Sequence, residues 1–441
     1  MLRRTFKGGA HPPEWKQFTE SKPIVDLEMV QRVVVPLQQH LGAPSEAIVK
    51  KGDEVRTGQP ISEAKGFVSV PSHASITGKV TAVEPMDHPL GSKVVSVVIE
   101  GEGVDVWDDS IRPQESIDQL SPKDLVGMIQ QAGLAGMGGA AFPTHVKLSP
   151  PPDKPIEIAI LNGAECEPYL TADHRLMLEQ PEEILYGFKL VMRILGVKRG
   201  VVAIEANKPD AVKALSALIK AENNISLVKL PVKYPQGAEK QLIKALTGRE
   251  VPPGGLPMDV ACLVHNVGTA KAVHDAVTQR KPLIERVVTV TGPGVTEPKN
   301  LRVRIGTPFS ELIDACGGYR GEVGKLVMGG PMMGLAQDTD QVPVIKGTSG
   351  IVVVDEKGAS IGRARTCISC ARCVDACPMN LVPTTLGKLV EKERFDEARD
   401  NGLQDCIECG CCAYVCPSKI NLVHLFKFGK AEIMAAERKA G

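Results

Sequence analysis

Nine of the twelve cysteines in this 441-residue chain fall between positions 367 and 416. Cys367, Cys370, Cys373 and Cys377, followed by Pro378, are spaced C-x2-C-x2-C-x3-C-P; Cys406, Cys409, Cys412 and Cys416, followed by Pro417, repeat the pattern. Three thiolates two residues apart can wrap three irons of one cubane on a tight loop. The fourth, on the helical turn that follows, points away and reaches the other cluster. The spacing therefore predicts two [4Fe-4S] clusters, one held by Cys367, Cys370, Cys373 and Cys416, the other by Cys406, Cys409, Cys412 and Cys377. Zinc also uses cysteine quartets, but tandem copies with both prolines argue against it. Two neighbouring clusters form an electron path more often than a structural staple. Cys411 is out of register with both motifs: it either tunes a cluster from outside the ligand set or is a small buried side chain, and the second reading is the simpler. Cys166, Cys262 and Cys316 stand alone.

Clusters carry electrons singly, so something must load them. Residues 133 to 148 read GLAGMGGAAFPTHVKL, and its glycines let backbone N–H groups approach a phosphate or ring closely. The run misses the G-x-G-x-x-G register, and by itself it reads as a tight turn. Further on, LNGAECEPYLTADHR places Asn162, Glu165 and Glu167 at the end of an apolar strand. The carboxyl end of a strand is where open α/β sheets bind ligands. YPQGAEKQL and HNVGTAKAV again put polar residues at strand-to-helix junctions.

The elements that must position these groups follow from periodicity. From Val33 to Glu100 short strands alternate with turn residues, and "VKKGDEVRTGQPI" followed by "VPSHASITGKV" resembles a lipoyl-type barrel. Lys65 stands about where that family carries a modified lysine, but its neighbours Ala64 and Gly66 are not the usual ones, so a structural or docking barrel is expected. SPKDLVGMIQQAG then reads as a helix capped by Ser121, with Pro122 in its first position. Alternating buried strands (IEIAIL, GVVAIE, SLVKL, DVACLVH) and helical segments (EEILYGFKLVMRIL, DAVKALSALIKA, GTAKAVHDAVTQ) argue for an α/β layer with a mainly parallel sheet. From Arg286 strands return in a pattern similar to a small β-grasp domain of the soluble-ligand-binding (SLBB-like) type. A connector with the strand GIVVVDE is expected to lead to the cysteine region, and LVHLFKFGKAEIMAAERKAG is expected to be a closing helix.

The expected fold class is thus multidomain α/β plus α+β, with these boundaries: 1–30 an N-terminal extension; 31–105 a lipoyl-like, barrel-sandwich domain; 115–285 a Rossmann-like α/β domain; 286–345 the β-grasp domain; 360–425 a two-cluster ferredoxin-like helical domain; and 426–441 the C-terminal helix. The chain is long enough for several cores. Lysine plus arginine equals aspartate plus glutamate at 52 each, which gives no electrostatic reason to expect nucleic acid. No stretch approaches ~18 consecutive apolar residues, and the first residues carry charges without an apolar core or cleavage site. A cytoplasmic chain is expected, where clustered cysteines mean metal more often than disulfides.

The glycine run and the acidic strand end together resemble the flavin-bearing subunit of respiratory complex I, which binds FMN and NADH. The resemblance implies that Gly136, Gly138, Gly139, Phe142 and Lys147 surround the FMN phosphate and the nicotinamide side. It implies further that Asn162, Glu165 and Glu167 hold the ribityl chain and NADH, and that Tyr234, Gly237, Glu239, Asn266 and Thr269 complete the pocket. Met137 departs from that family's arginine, and Ala164 and Cys166 replace its acid and glycine. Cys166 either touches the isoalloxazine or packs. With "TFKGGAHPPEWK" at the start, the order barrel, flavin domain, β-grasp, two ferredoxin motifs resembles the C subunits of Rnf complexes, which couple ferredoxin and NAD to ion transport. That resemblance implies an oxidoreductase component with two [4Fe-4S] clusters, FMN and NAD(H), and no catalytic acid or base. It implies a peripheral place on the cytoplasmic side of the membrane. Its partners would be the other subunits, integral membrane ones included, with ferredoxin as an indirect partner and sodium or proton transport located in those other subunits. A cobalamin reductase resembles the same motifs but places its barrel after the flavin domain. A cluster-bearing adaptor with a vestigial flavin pocket is the non-enzymatic rival.

Overall fold

The computed structural model describes residues 5–101, 103–359 and 362–440. Positions 1–4, 102, 360–361 and 441, which belong to the expected extension, barrel, cluster region and final helix, lie outside the described residues.

The segment with alternating strand and helix signals forms a four-stranded, all-parallel sheet in the order Ile225–Leu230, Arg199–Glu205, Ile158–Gly163, Cys262–Asn266. Successive side chains of a strand point to opposite faces. Ala159, Leu161, Val202 and Ile204 accordingly pack under the helices Ala172–Glu179, Pro181–Leu195 and Pro209–Ile219. Ile158, Ile160, Val201 and Ala203 face the helix Glu239–Thr247 on the other side. Burial on both faces explains why these strands read as continuous apolar runs. The strand order reverses between Ile158–Gly163 and Cys262–Asn266, which opens a crevice at their carboxyl ends, beside Asn162 and Asn266.

Local signals work as the sequence suggests. Ser121 and Asp124 form a capping box at the helix Pro122–Gln131. The helix Pro181–Leu195 starts with proline at its first position and stops at Gly196 in the left-handed region (φ 66°). It crosses the helix Val267–Thr278 so closely that a Cβ on Gly187 would stand 1.8 Å from the Ala270 carbonyl oxygen. Gly187→Ala is therefore expected to destabilise the protein by about 2 kcal/mol or more, because neither backbone can give way without repacking. Denaturant unfolding measures it as a lowered midpoint.

Residues 32–101 form two small antiparallel sheets, Arg32–Pro36, Lys93–Gly101, Gly78–Asp87, Glu54–Val55 and Glu46–Ala47, Ser62–Glu63. Lys65 is exposed beside Glu46 at 3.6 Å. The third body is a six-stranded sheet in the order Ile24–Asp26, Lys299–Arg304, Glu285–Thr291, Gly350–Asp355, Val323–Met328, Leu335–Gln337. Two expectations are corrected here. GIVVVDE is no connector: it lies inside this sheet, parallel to Glu285–Thr291 and antiparallel to Val323–Met328, so the sheet runs past the expected boundary at 345. The N-terminal extension likewise supplies an edge strand, with Ile24 to Asp26 pairing Asn300 to Arg302. Cys262 and Cys316 are fully buried packing residues. The cysteine region is helical, with short helices Arg372–Ala376 and Cys411–Tyr414 packed on the helices Pro383–Glu391 and Leu422–Ala440.

Candidate functional site

The glycine loop sits over the crevice between the strands Ile158–Gly163 and Cys262–Asn266. Its register is set by Met137, whose N–H donates to Thr269 Oγ1 at 2.8 Å. Gly138 adopts a left-handed conformation (φ 71°), and a Cβ there would stand 2.8 Å from Asn266 Nδ2. Asn266 is committed on both ends of its amide: Oδ1 accepts from Gly268 N at 2.7 Å, capping the helix Val267–Thr278, and Nδ2 donates to Asp173 Oδ2 at 2.6 Å. Across the crevice Asn162 Nδ2 donates to the Gly237 carbonyl at 2.9 Å, tying the strand end to the YPQG loop. Lys147 and Glu239 pair at 2.6 Å. Gly138, Gly139 and Phe142 are exposed, and no protein atom comes within 4 Å of a Cβ built on Gly139. Residues far apart in sequence thus form one cradle of exposed backbone with a cation at its rim, which suits a phosphate-bearing ligand.

The two acids accept hydrogen bonds from backbone N–H groups. Glu165 accepts from Asp173 N at 2.7 Å and His174 N at 3.1 Å, which places its charge at the start of the helix Ala172–Glu179. Glu167 accepts from Met332 N at 3.1 Å and Met333 N at 2.9 Å in the third body, and from Tyr234 OH at 3.4 Å. Burial pushes the Glu167 carboxyl up to about 7 in spite of these donors. Burial, with Glu165 beside it, does the same to Asp173.

A carboxyl whose folded pKa lies above its unfolded value holds more protons folded than unfolded. Stability from Glu167 is therefore full below about 4.5 and is lost as pH rises toward about 7. Glu167→Gln, which does not titrate, is expected to gain stability relative to the parent between pH 5 and 8, by at most about 3 kcal/mol. Urea unfolding at both pH values measures this; a difference independent of pH would show that the carboxylate is not penalised.

Beneath the acids lies a buried ammonium that the sequence did not single out. Lys16 Nζ donates to the carbonyls of Glu165 (2.9 Å), Glu167 (3.1 Å) and Leu170 (2.6 Å). Trp15 and Phe18 stack on Tyr169 beside it. The N-terminal segment is thus a strap across the strand ends. It continues to the cysteine region, where Ala10 and Tyr234 exchange backbone hydrogen bonds (2.8 and 3.0 Å), Gly9 N donates to the Ala376 carbonyl (2.9 Å), and Gly8 lies against the Cys377 carbonyl. Asp173 and the Met332–Met333 turn also went unassigned, because their partners lie on other elements.

The cysteines separate into two groups in space. Cys377, Cys406, Cys409 and Cys412, one predicted ligand set, line a single small pocket together with Leu381, Phe426 and Pro378. Of the other set, Cys373 is pushed up by burial and, to a lesser degree, by Cys416 close beside it. Among the described residues no three His, Cys, Asp or Glu side chains converge to hold a single metal ion. The first group is largely buried. In the second, Cys370 is exposed, as is Ile368 at 67%. The buried group adjoins the crevice: Tyr234, with its wall on one side, packs against Ala10, Ala376, Cys409 and Cys411, with Cys166 and Met332 at the margin. Cys166 Sγ accepts from Gly237 N at 3.3 Å, and burial pushes its thiol up to about 12, so it is a packed thiol and no nucleophile.

Family models match four consecutive parts of the chain. They are described as an RnfC barrel sandwich hybrid domain over residues 4–104, a Nuo51 FMN-binding domain over 129–275, an SLBB domain over 287–336 and a 4Fe-4S dicluster domain over 366–420. A multidomain α/β protein with a flavin-binding part and a cluster-binding part is the class they define. Among curated proteins, the C subunit of the Na(+)-translocating ferredoxin:NAD(+) oxidoreductase complex of Acetobacterium woodii is 47% identical over 435 residues, covering 99% of this chain and 98% of that one. Its proton-translocating counterpart from Clostridium ljungdahlii is 47% identical over 436 residues (99% and 95%). The C subunit of the ion-translocating oxidoreductase complex of Rhodobacter capsulatus is 42% identical over 432 residues (97% and 83%). The chain belongs to this family, the C subunits of ion-translocating oxidoreductase complexes, and is an electron-transfer component. A chain of an NAD+-reducing [NiFe]-hydrogenase in the air-oxidized state is a fainter likeness, at TM-score 0.49 and 20% identity over 66% of this chain and 60% of that one.

Proposed function

We propose that the protein exchanges electrons between NAD(H) and the ferredoxin side of an ion-translocating complex, with FMN in the crevice and two [4Fe-4S] clusters in the cysteine region. When bound, FMN converts two-electron hydride exchange into the single-electron steps that clusters accept. The observation that carries this reading is adjacency: the crevice wall at Tyr234 and Gly237 abuts the cavity lined by Cys377, Cys406, Cys409 and Cys412.

The chain's residues then have distinct tasks. Backbone N–H groups of Gly138 and Gly139, with Lys147 at the rim, would hold the FMN phosphate; Gly136, whose N–H donates to the Phe142 carbonyl at 2.8 Å, closes the loop in place of contacting the phosphate, and Glu239 fixes Lys147. Asn162, Asn266, Thr269 and Gly237 shape the floor, and exposed Phe142 offers a flat apolar face toward the nicotinamide side. Glu165 and Glu167 act by holding the helix start and the Met332–Met333 turn in place, which refines their expected role as direct ligand contacts. Tyr234 keeps the crevice and the inner quartet together. Cys367, Cys370, Cys373 and Cys416 form the outer quartet, and the exposure of Cys370 puts it within reach of a partner protein.

Among the described residues no helix is long and apolar enough to cross a membrane. We place the chain peripherally on the cytoplasmic face, with integral membrane subunits carrying the ion. The division into extension, barrel, flavin, β-grasp and cluster domains stands as part of the same proposal, with the third sheet extended to Asp355. Purified, reconstituted protein tests it. About one FMN and about eight irons per chain, with clusters that bleach on addition of NADH, are expected. Absence of FMN, or clusters that stay oxidised under NADH, would favour an adaptor instead.

A further inference from the structure

Arg286 is a buried guanidinium whose charge no carboxylate balances. It lies on the strand Glu285–Thr291 of the third sheet, is 7% exposed, and reaches the glycine loop of the α/β domain. A guanidinium carries five N–H donors. Among the described residues only Nε meets an oxygen, the Thr348 carbonyl at 3.2 Å. Nη1 lies against the Met137 sulfur, a weak acceptor, and 3.7 Å from where a Cβ on Gly268 would stand. The two carboxylates that line the same small pocket, Asp275 and Glu285, are taken by Lys271 (2.5 Å) and Lys281 (2.6 Å). Asp173 favours the charge of Arg286 from beyond ion-pair distance, but that carboxyl already accepts from Asn266. Burial lowers the Arg286 pKa only to about 10, so it is a cation at neutral pH.

A buried ion without a partner is costly. This one also stands beside the first turn of the helix Val267–Thr278, the positive end of its dipole, where a second positive charge is disfavoured. Both costs fall if an anion joins the site. Lys147 at the rim does not supply the charge such an anion needs, because Glu239 balances it at 2.6 Å. We propose that Arg286 is the counter-ion of the FMN phosphate, lent to the flavin cradle by the third sheet. This rests on the flavin reading above. Acting from the interior, the guanidinium is screened less than a cation at the rim. FMN and riboflavin share ring and ribityl chain and differ in the phosphate, so Arg286 should favour FMN over riboflavin.

The test measures FMN and riboflavin binding to the full-length, cluster-reconstituted protein freed of flavin, by fluorescence quenching, with thermal unfolding of the same flavin-free samples. Arg286→Met keeps the length of the side chain and removes its charge. It should weaken FMN binding by at least about tenfold and leave riboflavin binding within about twofold. It should also raise the melting temperature of the flavin-free protein, because an unbalanced buried charge is gone. Arg286→Lys keeps the charge and should retain most of the preference for FMN. Arg286→Gln, polar and uncharged, takes the place of Arg286→Met if that variant does not fold, with the same expected loss of FMN alone. Equal losses of FMN and riboflavin, with a lowered melting temperature, would make Arg286 a packing residue and overturn the proposal. Unchanged FMN affinity in the uncharged variants overturns it too. A parent that binds neither flavin overturns the crevice reading itself.

Discussion

Replacing Cys377 with serine is expected to remove the cluster held by the other cysteine motif. Cys377 closes the first C-x2-C-x2-C-x3-C-P run in sequence, yet it lines the cavity formed by Cys406, Cys409 and Cys412 of the second. The variant should hold about four irons in place of about eight. The surviving signal should come from the quartet that contains exposed Cys370. With the quartet beside Tyr234 gone, NADH should no longer reduce the survivor on the time scale of turnover, although chemical reductants should. Cys370→Ser provides the converse: about four irons, with the remaining cluster still reduced by NADH. Iron analysis and low-temperature electron paramagnetic resonance distinguish the two variants. If Cys377→Ser instead spared the second motif and emptied the first, each motif would be self-contained and the crossed assignment wrong.

Substituting valine for Gly138 is expected to abolish flavin retention while leaving both clusters in place. The left-handed conformation costs a side chain about 1–2 kcal/mol. The added Cβ would also stand 2.8 Å from Asn266 Nδ2, a collision worth a further 1–3 kcal/mol or so. Asn266 cannot step aside cheaply, because it caps the helix Val267–Thr278 and holds Asp173. A loss of about 2–5 kcal/mol weakens flavin binding by at least about thirtyfold, which gel filtration reads as a flavin-free protein that stays brown with full iron. Gly139→Ala sharpens the result. No protein atom lies within 4 Å of the added methyl, so folding should be unaffected, and any fall in flavin content would mark that space as the ligand's own.

How much of this was legible in the sequence depended on how far each signal had to reach. The cluster-binding region was legible because its cysteine spacing is local and set by chemistry. The parallel sheet was legible because Ile158 to Leu161 and Val201 to Ile204 are apolar on both faces. The glycine loop, Asn162 and Asn266 were found through a resemblance, and the structure brings them to one crevice. What the sequence concealed lies in partnerships across several hundred residues. GIVVVDE is strand-like by itself, and nothing local says that it inserts between Glu285–Thr291 and Val323–Met328. Glu167 looked like a ligand contact because it stands at a strand end, but its partners are backbone N–H groups at 332 and 333. Lys16 carries no pattern at all: a lone lysine between aromatic and polar residues reads as a surface residue, and only the three converging carbonyls account for its burial.

The strap that runs from Phe6 to Asp26 has a consequence for biosynthesis. It leaves the ribosome well before its partners are made: Leu170 and Tyr234, Asn300 in the third sheet, and Ala376 and Cys377 later still. Contacts between residues so distant form late, because the loop between them must be ordered first. The opening segment is therefore translated early and docked last. Until it docks, the contact of Gly8 with the Cys377 backbone is unmade.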